Sequence, residues 1–156
     1  MNEPSVFHST FSIEKTYPVT PEKVFAAFAD PVKKRRWMGG DADGFEIESF
    51  EMNFQVDHHE RWRFRFQGGP LIKTDTCFQD IVPNRRIVFV YTMTFDGKRG
   101  SSSQTTVEFL PGPKGTTLLF TEQGAFFDGA GAESAKGREE GTRGLFEQLE
   151  REVLNA

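Results

Sequence analysis

Between Phe45 and Gly124 the chain is built from extended segments punctuated by turn chemistry, and this constrains its fold more than any other feature. Phe45 to Val56, Glu60 to Phe66, Ile72 to Val82, Arg86 to Phe95, Ser101 to Leu110 and Thr116 to Gly124 all read as strands. In a strand successive side chains point to opposite faces, so an alternating pattern marks one covered face and one open face. The segments are separated by Gly68-Gly69-Pro70, Pro83-Asn84, Asp96-Gly97 and Pro111-Gly112-Pro113-Lys114-Gly115. Asp96-Gly97 and the last of these are short enough to join neighbouring strands directly, as a meander requires. One further strand, His8 to Tyr17, precedes them and is ended by Pro18.

Helical signals flank this block. Thr20 followed by Pro21 is a cap and a first-turn proline, and Val24, Phe25 and Phe28 give the helix an apolar face. Asp30-Pro31 repeats the signal, predicting a second short helix through Lys33-Lys34-Arg35-Arg36 to Trp37, stopped by Gly39-Gly40. From Glu133 to Leu154 the spacing turns helical again, with Leu145, Phe146, Leu149 and Val153 on one stripe. Gly137, Gly141 and Gly144 weaken its first half by up to about 1 kcal/mol each, which implies that something packs close to the helix there. Antiparallel strands with segregated helices make an α+β domain. The 156 residues suit a single domain over 1–156 with its core at about 8–154. The expectation is a strongly curved seven-stranded antiparallel sheet around a long C-terminal helix, with two short helices between strands one and two.

The chain carries 17 Phe against 2 Tyr and 2 Trp, an excess that must fill a core, line a pocket or cover a contact surface. A net charge of −4 argues against general nucleic-acid binding, which needs a basic footprint. The single cysteine, Cys77, excludes an intrachain disulfide and a cysteine metal cage, and with no local cation it reads as a buried, inert thiol. No signal-peptide pattern opens the sequence, and no apolar run approaches the roughly 20 residues needed to cross a bilayer. The expected location is the cytoplasm, with no membrane partner.

Several segments resemble a known group. They are Val19 to Phe28, Asp30-Pro31 leading to Arg36-Trp37, Asp80 to Phe89, Thr121 to Phe126, and Glu139-Glu140-Gly141-Thr142-Arg143. Their order resembles the SRPBCC (START-like, helix-grip) superfamily, and more narrowly the branch named for the activator of the heat-shock protein 90 ATPase. The resemblance implies a helix-grip fold with an apolar cavity. The superfamily also includes polyketide cyclases, lipid-transfer domains and plant hormone receptors, so fold alone does not name an activity. This chain departs from the pattern at Asp57-His58-His59, where such proteins usually carry a glycine pair.

Each candidate constellation has a plain structural alternative. His58-His59, flanked by Asp57 and Glu60, has metal-ligand chemistry, but adjacent residues in extended chain face opposite ways, so a polar hairpin tip and no metal are expected. Arg61-Trp62-Arg63-Phe64-Arg65-Phe66 alternates as a half-buried strand does, its arginines set to pair with Glu46, Glu48 or Glu51. Lys33 to Arg36 reads as a solvated helix surface. Trp37 suits either a cavity mouth or a core anchor. Glu122 shares a face with Leu118 and Phe120; facing inward it would be a weak candidate acid or base, otherwise a partner of Arg143 or another cation. No nucleophile elbow, zinc-protease or dinucleotide motif is present.

The leading reading is a cavity for a small, mostly apolar molecule. Its walls would be Phe45, Phe54, Trp62, Phe64, Tyr91, Phe109 and Phe120, with Trp37 and Phe126 near the entrance and Glu122 and Arg143 as polar anchors. No cofactor is implied. Two other classes stay open: a chaperone-associated or other protein-binding domain, and a cyclase- or dehydratase-like enzyme in the same cavity. An exposed apolar patch would favour the first, a buried unpaired Glu122 the second. The chain would be a monomer or a homodimer.

Overall fold

A computed structural model describes residues 5–39 and 44–155. The elements run β1 (Phe7–Tyr17), α1 (Pro21–Ala29), α2 (Pro31–Met38), β2 (Phe45–Met52), β3 (His59–Phe66), β4 (Ile72–Val82), β5 (Arg86–Phe95), β6 (Lys98–Gly112), β7 (Gly115–Phe126) and α3 (Ala132–Asn155). All seven strands form one antiparallel, curved sheet in the order β1-β7-β6-β5-β4-β3-β2. The expected α+β helix-grip architecture is therefore the observed one. Irregularities at Ile47/Ser49, Phe78/Asp80 and Met93/Thr94 bend the strands that carry them.

The helix boundaries follow from their caps. Thr20 Oγ1 accepts from the Lys23 amide at 3.4 Å. Asp30 serves two helices: its amide closes α1 on the Ala26 carbonyl, while its carboxylate accepts from Val32 and Lys33 at the start of α2. Gly39 ends α2 on the Arg35 carbonyl; Gly40, named with it from the sequence, lies outside the described residues.

One strand is shorter than its pattern suggests. β2 stops at Met52 because the chain turns through Asn53 to His58, with Asp57 at a φ of 69°. The amides of Asp57 and Phe78 tie this tip to the β4 edge at 2.8 and 3.1 Å. The β6–β7 hairpin is longer than expected and turns tightly at Gly115, where any Cβ would collide with the Tyr17 carbonyl.

The core fills one end of the grip. Phe28 of α1 meets Phe109 at 5.4 Å and Trp37 at 5.1 Å, edge to face. Phe25 meets Phe109 and Phe54, and Phe54 in turn meets Phe78. The C-terminal half of α3 closes over the sheet through Phe146, Leu149 and Val153, with Phe146 against Phe120 at 5.0 Å. Toward its N-terminus the same helix carries small residues, and the packing opens.

Candidate functional site

Between the sheet and the N-terminal half of α3 lies a cavity of about 580 Å3. β2 and β3 contribute Phe45, Trp62, Phe64 and Phe66, and β4 to β7 contribute Thr74, Phe89, Tyr91, Met93 and Phe120. α2 contributes Lys34, Trp37 and Met38. On α3 the facing residues recur at helical spacing, as Gly137, Gly141, Gly144 and Leu145, then Gln148. A Cβ added at any of the three glycines would meet nothing within 4 Å. The glycines therefore admit no close-packed neighbour, contrary to the expectation from the sequence. They open onto the cavity.

Two buried ionic clusters stand in this wall. In the first, Lys34 of α2 donates from Nζ to Glu60 Oε1 of β3 at 2.7 Å, with the two residues 5% and 3% exposed. Trp62 Nε1 donates to the other carboxylate oxygen at 2.7 Å. The Lys34 ammonium also lies within 6.0 Å of the ring centroids of Phe28, Phe78 and Phe89. In the second, Glu122 of β7 accepts from the Tyr91 hydroxyl at 2.9 Å and from Thr105 at 3.2 Å, with Arg138 Nη1 at 3.5 Å. Arg138 donates to the Tyr91 hydroxyl, Ser101 Oγ and Met93 Sδ, and lies against the rings of Phe126 and Tyr91. Burial raises the Glu122 pKa above the ordinary glutamate range, opposed by Arg138 and the donated hydrogen bonds. Burial likewise pushes the Tyr91 phenol up. Ser103 Oγ, two residues beyond Ser101 on β6, is buried with no hydrogen-bond partner among the described residues.

The structure brings Trp37, Phe45, Trp62, Phe64, Tyr91, Phe120 and Glu122 together around the cavity. It does not bring in four others. Phe54 and Phe109 pack in the core, because α1 docks over that part of the sheet and covers them. Phe126 is buried beneath the Arg138 guanidinium and does not line the cavity. Arg143 is exposed and pairs with Glu139 one turn earlier, at 2.9 Å. It follows Thr142 by one residue, and one residue turns a helix by about 100°. The cation paired with Glu122 is Arg138.

The basic run on α2 also needs correction. Lys33, Arg35 and Arg36 meet solvent at least in part, but Lys34 is buried in the cavity wall. Lys34 precedes Trp37 by three residues, so both lie on the same face of the helix. Arg138, too, was reachable by spacing: the buried stripe Val153, Leu149, Phe146 continues back through Thr142 to Arg138.

The remaining candidates are structural. His59 Nδ1 lies 2.8 Å from Asp75, and His58 Nδ1 2.9 Å from the Asn53 amide, on opposite sides of the hairpin tip. Among the described residues no cluster of three His, Cys, Asp or Glu could hold a metal. Arg61 pairs with Glu51 and Asp75 at 3.5 and 3.3 Å. Cys77 is half-buried, not buried, because it points away from Thr76 and Phe78, which face inward. No helix among the described residues is long and apolar enough to cross a membrane.

Comparison with solved structures finds this architecture in proteins from several organisms. The Mll3558 protein from Rhizobium loti is 54% identical, with 95% of this chain and 99% of that one covered and a TM-score of 0.85. A protein from Rhizobium leguminosarum is 33% identical over 97% of this chain and 98% of its own, with a TM-score of 0.90. CV1439 from Chromobacterium violaceum, at 24% identity and a TM-score of 0.74 over 92% and 96%, shares the fold. No match is found among curated proteins. The model of the family described as activator of Hsp90 ATPase homolog 1-like protein matches residues 18–153. With its helix-grip fold and a family match over nearly its whole length, the chain belongs to the Hsp90 ATPase activator homolog 1-like family.

Proposed function

We propose that this protein binds a small, mostly apolar molecule in the cavity between the sheet and α3. The observation that carries the reading is a cavity of about 580 Å3 between sheet and helix, bordered on α3 by Gly137, Gly141 and Gly144, of which the first two lie exposed where it meets solvent. Alanine would suit a helix interior better, and no close packing demands glycine here. The residues give up helix stability and keep volume. The volume lies in the range of small-molecule sites, and aromatic rings share the lining with hydroxyl and charged side chains, so that most of its surface is apolar with polar groups set into it. Helix-grip proteins commonly take hydrophobic ligands, which agrees. A single cysteine and no disulfide suit a reducing compartment, so we place this binding in the cytoplasm.

Two observations favour ligand binding over the other classes. Both oxygens of Glu122 are engaged, and Arg138 stands beside it, so it serves better as a fixed wall than as a free acid or base. The exposed large apolar residues are Val6, Phe7, Val32, Val56, Phe66, Leu110 and Leu154, of which Val6 and Phe7 are neighbours in sequence and the rest stand singly along the chain.

Native mass spectrometry of the purified protein, followed by denaturation and identification of released molecules, tests the proposal. A stoichiometric apolar passenger is the expected result. A bare protein whose melting temperature is unmoved by fatty acids, polyketides and aromatic compounds would overturn it.

A further inference from the structure

The two ionic clusters in the cavity wall differ in how completely they are satisfied. Arg138 has five N–H donors. Four have partners in the Tyr91 hydroxyl, Glu122, Ser101 and Met93, and its guanidinium is held between the Tyr91 and Phe126 rings. Lys34 has three donors and one acceptor, Glu60 Oε1. The other groups recorded around its ammonium are the rings of Phe28, Phe78 and Phe89, at 5.7, 5.9 and 6.0 Å. No second acceptor is present among the described residues. Ring faces attract a cation, but they do not replace the hydrogen bonds that a buried ammonium loses.

We infer that the occupant of the cavity is a neutral, mostly apolar ring compound carrying a carbonyl oxygen, and that Lys34 receives that oxygen. This rests on the cavity being a ligand site. The charge balance selects the carbonyl. Glu60 already neutralises Lys34 at 2.7 Å, so a ligand carboxylate would be placed beside a second carboxylate in a poorly screened wall. A carbonyl accepts from Lys34 without adding charge, and without bringing a proton that needs its own acceptor. Glu60 is fixed from its other side by Trp62, so Lys34 is held in place to meet the ligand. The apolar remainder fits the adjoining ring faces of Trp37, Phe45, Trp62, Phe64 and Phe89 and the open glycine stripe opposite.

Three probes of nearly equal shape separate the possibilities: benzophenone, diphenylmethane and diphenylacetate, titrated calorimetrically into the wild-type protein. Benzophenone is expected to bind about tenfold more tightly than diphenylmethane, the increment of one hydrogen bond to a charged donor, with diphenylacetate weakest. The double variant K34M/E60M, which removes both charges and leaves no side-chain donor at either position, is expected to bind the ketone and the hydrocarbon equally. Equal binding of those two by the wild type overturns the carbonyl assignment and leaves the cavity reading intact. So does a preference for diphenylacetate, or a ketone preference that survives in K34M/E60M. Absence of binding by all three overturns the ring-ketone assignment and leaves the cavity reading to the mass-spectrometric test. The wild-type ranking decides the question even if the double variant fails to fold.

Discussion

The hydroxyl of Tyr17, at the end of the first strand, donates to the main-chain carbonyl of Phe146 in the last helix, 3.0 Å away. Tyr17 is 0% exposed, so no solvent competes for the bond. It pins α3 to the sheet edge at the solid end of the grip. The carbonyl keeps its intrahelical bond whether or not the phenol is present. Tyr17→Phe is therefore expected to cost only about 1 kcal/mol, the ordinary net worth of one such bond. Urea unfolding of the two proteins measures it, and an unchanged midpoint would show that the pin contributes nothing.

Tyr17 and Tyr91 are the only tyrosines in the chain, and burial raises the pKa of both, with Glu150 adding to the first and Glu122 to the second. Folded values above the unfolded value mean that the stability tied to neutral phenols is complete below about pH 10 and falls as pH rises toward the folded values. Tyrosinate absorbance should therefore appear together with the loss of far-ultraviolet circular dichroism. Tyrosinate appearing near pH 10 in a protein that is still folded would contradict the burial of both rings.

Replacing Gly137, Gly141 and Gly144 together with alanine should stabilise the protein by on the order of 2 kcal/mol, since each position is helical and unobstructed. The Gly144 methyl group, at the half-buried one of the three positions bordering the cavity, should weaken binding of an apolar probe in the same variant. Thermal unfolding and calorimetry read the two effects separately. A destabilised variant would mean that these positions are not open.

For Glu122, burial dominates over the opposing pull of Arg138, Tyr91 and Thr105, so its carboxyl should titrate above the ordinary glutamate value in a carbon-detected NMR titration. A raised folded value makes its contribution to stability complete below the unfolded pKa and lost as pH rises through the folded one. Arg138→Met removes the strongest opposing influence and should move the titration further up. A value at or below that of an exposed glutamate would show that the carboxylate is held ionised.

The architecture was legible because its signals are local. Asp96-Gly97, Pro83-Asn84 and the Thr20-Pro21 and Asp30-Pro31 caps each act within a few residues, and the alternation in Arg61 to Phe66 and Leu118 to Glu122 sorts inner from outer face without knowledge of neighbours. The solid end of the core was less legible. Phe54 and Phe109 face inward as expected, but whether an inward ring borders a void or another ring depends on where α1 docks. The charged members of the wall were obscured for another reason. Lys34 lies within a run of four basic residues, and Arg138 lies among glycines and glutamates, so composition suggests solvent for both. Extending the stripe from Trp37 by one turn, or from Phe146 by two, reaches them.

The position of β1 at the sheet edge beside β7 has a consequence for the order of assembly. β2 to β7 pair with their neighbours in sequence, and those hairpins can form as soon as each is synthesised. β1 cannot. Thr16 and Thr117, whose hydroxyls meet at 3.2 Å across the β1–β7 pair, are 101 residues apart. The first strand of the sheet in chain order is among the last to find its partner, and until then Phe11 and Ile13 lack their β7 neighbours Glu122 and Phe120. That closure has the longest contact distance in the sheet, so it is where slow folding and mispairing between nascent chains concentrate.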